Sequence, residues 1–122
     1  MPGALFRGTL TYQVPVTAGQ YAPDFFGMCG PSTTGQGSQG VAIETLTVLV
    51  QTLTTGAQVE WWFLDPTPGV DPTNIGNYVR SSNVWSVTGF SATVPLTSWP
   101  GGLLRVKSGG TLGASVVSYS AA

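Results

Sequence analysis

The stretch Phe6-Arg7-Gly8-Thr9-Leu10-Thr11-Tyr12-Gln13-Val14-Pro15-Val16 decides the fold class. Phe6, Leu10, Tyr12, Val14 and Val16 recur with a period of two around Gly8, and Arg7, Thr9, Thr11 and Gln13 fill the alternate positions. Successive side chains of a strand point to opposite faces, so this pattern reads as a strand with one buried side. Pro15 cannot donate to a ladder and fits a strand end or an edge.

The same period continues along the chain. Residues 41–54 carry Leu46, Val48 and Val50 on one side and Ile43, Leu49 and Leu53 among those on the other, which predicts a central strand covered on both faces or one passing through an interface. Thr55-Gly56 makes a turn into Ala57-Gln58-Val59-Glu60-Trp61-Trp62-Phe63-Leu64, and the pair reads as a hairpin. Shorter strands are predicted at 77–80, 84–88, 90–96, 102–107 and 111–119, with Ser108-Gly109-Gly110 as a tight hairpin between the last two. No stretch has helical amphipathicity with caps. Seven or eight short strands in a single domain over residues 1–122 predict an all-β antiparallel sandwich, jelly-roll-like, with an extended arm at 1–5. Residues 17–40 form a long loop; its first half carries Tyr21, Phe25, Phe26 and Met28, and its second half is polar linker. Loops of this length in a small domain are commonly functional or mobile; Phe25 and Phe26 read first as core packing and second as partner-facing anchors, since exposed aromatic loops serve as interface anchors.

Composition bounds the chemistry. Of the 122 residues only 7% are charged, none is histidine and one, Cys29, is cysteine, where an ordinary domain is about a quarter charged. Nucleophilic and acid–base catalysis draw on groups this chain nearly lacks, so it is not expected to be an enzyme. Glu44 and Glu60 fall on neighbouring predicted strands, but both are expected to face solvent and not to form a glycosidase-type pair. Asp65, Asp71 and Asn74 share a turn-rich segment whose spacing matches no calcium loop; the repeated Asp-Pro-Thr reads as turn chemistry, so neither metal nor cofactor is expected. Four scattered cations, Arg7, Arg80, Arg105 and Lys107, are too few for a nucleic acid or an anionic membrane. A lone cysteine and an N-terminus without a secretory pattern suggest synthesis in a reducing cytoplasm, with Cys29 buried. Trp61 and Trp62 are adjacent and must point to opposite faces, one into the core.

The stretch Leu103-Leu104-Arg105-Val106-Lys107-Ser108-Gly109-Gly110-Thr111-Leu112-Gly113-Ala114-Ser115-Val116-Val117-Ser118-Tyr119 resembles the last hairpin of small β-sandwich virion proteins of tailed bacteriophages, in which Arg-x-Lys-Ser-Gly-Gly-Thr-x-Gly turns into a Val-rich strand. The resemblance implies a capsid decoration (cement) protein on the outer capsid surface of the virion, made in the host cytoplasm. It also implies the major capsid protein as partner and a small homo-oligomer, a trimer for preference. On that reading the expected contacts are Leu5, Phe6, Tyr21, Phe25 and Phe26. The alternative is a carbohydrate- or host-receptor-binding module of a head or tail fibre, displaying Trp62, Trp85 or Trp99.

Overall fold

The computed structural model describes residues 6–26, 45–65, 67, 70–71, 73–89, 91–95 and 102–121. Among these residues seven strands form: β1 (Phe6–Val14), β2 (Thr45–Thr52), β3 (Gln58–Leu64), β4 (Tyr78–Trp85), β5 (Ser91–Pro95), β6 (Gly102–Lys107) and β7 (Gly113–Ala121). A 3₁₀ turn, Ile75–Asn77, precedes β4 and is capped by the Asn74 side chain, which accepts the Gly76 N–H. The strands make a four-stranded antiparallel sheet in the order β1-β7-β2-β5 and a three-stranded one in the order β4-β3-β6. This is the all-β sandwich that the alternation dictates.

The core lies between the sheets. Tyr12 and Val14 from β1, Leu46, Val48 and Val50 from β2 and Val117 from β7 meet Val59, Trp61, Leu104 and Val106 from the other layer. Tyr12 spans the two layers: its hydroxyl donates to the Leu104 carbonyl at 2.6 Å, and burial pushes its phenol well above the ordinary value. A buried phenol needs such a partner, because an unmet hydroxyl in an apolar core is costly.

Both expected hairpins turn out to be crossings between layers. β2 pairs with β5 and β7, and β3 with β4 and β6, so Thr55-Gly56 carries the chain from one sheet to the other. Ser108-Gly109-Gly110 does the same between β6 and β7, so the segment that carries the phage resemblance is an arch and not a hairpin. The two arches touch. Gly56 has φ +77°, and a Cβ on Gly109 would run into the Gly56 backbone, so the crossing admits only glycine there. Glycine turn signals report a reversal of direction without saying whether the next strand joins the same sheet.

Strand boundaries and burial differ from expectation in further places. The strands expected at 77–80 and 84–88 are one strand, β4, whose register shifts opposite Glu60–Trp62, and β7 begins at Gly113. β2 is interior to its sheet, but only its inner row is buried; Leu49 on the outer row is exposed. Ile43, Glu44, Met28, Cys29, Trp99 and the arm 1–5 lie outside the described residues.

Candidate functional site

The outer faces of the two sheets are chemically unlike. On the three-stranded sheet, the register sets Glu60 opposite Arg105, and Trp62 opposite both Leu103 and Arg80, so these groups share the outer face. A strap formed by residues 20–26 lies along the edge of β6. The Ala22 N–H donates to Val106 O, the Ser108 N–H to Gln20 O, and Tyr21 bridges Lys107 in antiparallel sense. This covers an edge that would otherwise present unpaired backbone groups.

Glu60 anchors the strap. Expected at solvent, it is fully buried. Its Oε1 accepts from the Tyr21 hydroxyl at 2.7 Å and from the Trp62 indole N–H at 2.9 Å. Its Oε2 accepts no hydrogen bond of good angle and is held by charge, 3.0 Å from Arg80 Nη2 and 3.9 Å from Lys107 Nζ. Burial pushes the Glu60 carboxyl up, but its contacts with Tyr21, Trp62 and Arg80 outweigh that and hold it below the ordinary carboxylate value. Tyr21 is pushed up to about 12, by burial first and by its bond to Glu60 second. A buried carboxylate is tolerated only with such a set of partners. Alternation alone places residue 60 on the outer face, and correctly so; what the sequence does not reveal is that the strap roofs that face.

Arg105 completes the cluster. Its Nε donates to Asp24 Oδ1 at 2.9 Å, and its guanidinium carbon sits 3.8 Å from the centre of the Tyr21 ring and 4.5 Å from that of Trp62. The two rings meet edge to face at 5.9 Å, forming a corner that fits a planar cation. Three of the chain's four cations and two of its five carboxylates are therefore gathered on this one face.

Few of the expected contact residues stand free. Tyr21 is turned onto Glu60 and Arg105, and Phe26 packs on Tyr78. Phe25 meets Tyr12 edge-on at 5.1 Å and remains partly exposed. Phe6 pairs with Ala121 at the start of β1, and Leu5 lies outside the described residues. Of the tryptophans proposed for a glycan, Trp85 is only 6% exposed, which removes it as a stacking platform, and Trp62 is committed to Glu60 and Arg105. As adjacency required, Trp61 points into the core and Trp62 away from it. Asp65 and Asp71 each accept the backbone N–H and the hydroxyl of the threonine two residues on, which holds both carboxyls below their ordinary value. Among the described residues no group of three metal-ligating side chains gathers.

The four-stranded sheet is the opposite case. Its outer face carries Thr9, Thr11, Gln13, Thr47, Leu49, Gln51, Val116, Ser118 and Ser120, with no charge among the side chains described. Thr9 and Gln51 both reach the Ser118 hydroxyl, at 3.1 and 2.6 Å. A shallow open hollow of about 380 Å³ lies over Gly8, Thr9, Thr47, Leu49, Ser118, Tyr119 and Ser120. At one end of this sheet, where β1 and β2 finish and β5 and β7 begin, three connecting loops each expose a branched aliphatic: Val16 at 63%, Val87 at 62% and Leu112 at 71%. The pairing of Val14 with Gly113 brings the Val16 and Leu112 loops side by side, and the Gly89 N–H ties the Val87 turn to Val50 O. Val16 continues the alternation of β1 and reads as a buried strand residue, and Val87 and Leu112 fall within expected strands; all three instead lie in loops just beyond strand ends, so pattern reading missed the cluster.

No protein family matches the sequence, and no curated protein does. Among solved structures the chain is similar to the SPBc2 prophage-derived protein YomS, with 12% identity and a TM-score of 0.48, over 100% of this chain and 98% of that one.

Proposed function

We propose that this protein is a non-catalytic structural component of a tailed-bacteriophage virion, a capsid decoration protein, that docks on the major capsid protein through the loop end of its four-stranded sheet. The observation that carries the docking surface is the set of exposed aliphatics Val16, Val87 and Leu112 on three loops at one end of a rigid sheet. Isolated exposed aliphatics are common on any protein, but three clustered on adjacent loops of a rigid scaffold are the arrangement an interface uses. The virion setting comes from the sequence resemblance at 103–119. Glu60, Asp24 and Arg105 hold the strap in place, and the described outer face of the four-stranded sheet carries no charge, which suits a surface that works through area and packing. In the virion further copies of the chain complete the assembly as a small homo-oligomer.

Co-sedimentation with purified phage shells lacking the protein tests this reading. Wild type is expected to pellet with the shells, and a Val16→Asp/Leu112→Asp variant to remain in the supernatant while unfolding at the same urea midpoint. Pelleting of both to the same extent removes the loop end as the docking surface. Pelleting of neither removes the shell as the partner.

A further inference from the structure

We propose that Arg80 and Lys107, on the outer face of the three-stranded sheet, form a docking point for one carboxylate of a protein partner, an Asp or Glu side chain displayed on its surface. The site lies on the layer opposite the one assigned to shell contact and stands independently of that assignment.

Two cations share one oxygen. Arg80 Nη2 and Lys107 Nζ both lie against Glu60 Oε2, and among the described residues their side chains reach no other acceptor. Arg105 is neutralised separately by Asp24. The cluster therefore holds one positive charge more than it holds negative, on a chain whose net charge is −1. The excess sits at the surface: the Arg80 side chain is 47% exposed and that of Lys107 33%, while Glu60 beneath them is fully buried. Arginine carries five N–H donors and lysine three, so Glu60 Oε2 leaves several of them without an acceptor among the described residues. Glu60 cannot swing out to meet a ligand, since Tyr21 and Trp62 hold its other oxygen. It acts instead as a buried pin that keeps two flexible cations at a fixed spacing, which lowers the ordering cost of capturing an anion.

The charge arithmetic selects the partner. One surplus charge matches one carboxylate. A nucleic-acid strand needs a row of cations, and the remainder of this chain would repel it. The expected affinity is weak for an isolated peptide and gains strength only within a larger interface.

The test titrates the whole ¹⁵N-labelled chain with hexaglutamate, with hexaglutamine and inorganic phosphate as comparison probes. Hexaglutamate is expected to shift the Trp62 indole N–H signal saturably and to lose affinity as salt rises from about 20 mM to about 500 mM. Arg80→Gln/Lys107→Gln should weaken binding by about tenfold, and the charge-preserving Arg80→Lys/Lys107→Arg should bind like wild type. If the double variant does not fold, Lys107→Gln alone gives the same reading with a loss of about threefold, because its contact with Glu60 is the looser of the two. Equal shifts from hexaglutamine, phosphate binding as tight as hexaglutamate, or undiminished binding by the charge-removed variants would each overturn the proposal.

Discussion

The two outer faces of this sandwich start from the same strand alternation and end in opposite states. The three-stranded sheet carries ionic and aromatic side chains, and the chain folds its own residues 20–26 over them. The four-stranded sheet carries threonine, serine and glutamine joined by short hydroxyl contacts, and its loop end exposes Val16, Val87 and Leu112. The difference shows where a charge-poor chain spends its charges. Glu60, Asp24 and Arg105 fix one segment in place. A face roofed in this way has little left for a partner beyond its surplus charge, whereas the other face, whose described side chains carry no charge, is open to binding by contact area.

The comparison breaks most visibly at Arg105. Arg105→Ala removes the ion pair to a largely buried Asp24 and two ring contacts, and is expected to cost about 3 kcal/mol in urea unfolding. Glu60→Gln should cost about 2 kcal/mol, because it weakens charge-assisted bonds around a buried carboxylate. It also changes the acid response. The folded state holds Glu60 below its ordinary 4.5, so the unfolded chain binds more protons there and stability falls as pH drops from that value through the folded one. Asp65 and Asp71 contribute in the same direction, so Glu60→Gln should flatten the acid slope without abolishing it.

Tyr21→Phe should cost about 1–2 kcal/mol and act at the other end of the scale. Tyr21 keeps its proton up to about 12 in the fold against 10.0 otherwise, so its contribution is present below pH 10 and is lost as pH rises toward 12. The variant should show a shallower alkaline decline, with the part due to buried Tyr12 remaining. The smallest effect belongs to the open face. Thr9→Ala should stay within about 0.5 kcal/mol of wild type, since its hydroxyl contact with Ser118 is exposed. A cost there comparable to that of Arg105→Ala would erase the distinction between the two faces.

Local pattern carried the fold further than the site. The alternation from Leu10 to Val14 and from Leu46 to Val50 placed the core residues on the correct faces, and Trp61 and Trp62 separated as adjacency requires. Alternation speaks only of which side a residue faces. It says nothing of which strand pairs with which, and so the arches at Gly56 and Gly109 read as hairpins. It is equally silent on what another segment lays over a face. Glu60 therefore read as solvated, and Trp85 as displayed, although the strap buries the one under Tyr21 and pairing with Val59 sets the other against the core. The strap itself has no period; its signal is a contact between residues such as Asp24 and Arg105, far apart in sequence.

Amide hydrogen exchange, measured on the free protein and on the protein bound to phage shells, tests the central claim most directly. In the free state the Ala22 and Ser108 amides, bonded across the strap, should exchange slowly. On binding, new protection should fall on the loops around Val16, Val87 and Leu112, and the strap should be unchanged. Protection that instead gathers on residues 20–26, with the three loops still exchanging freely, would contradict the account.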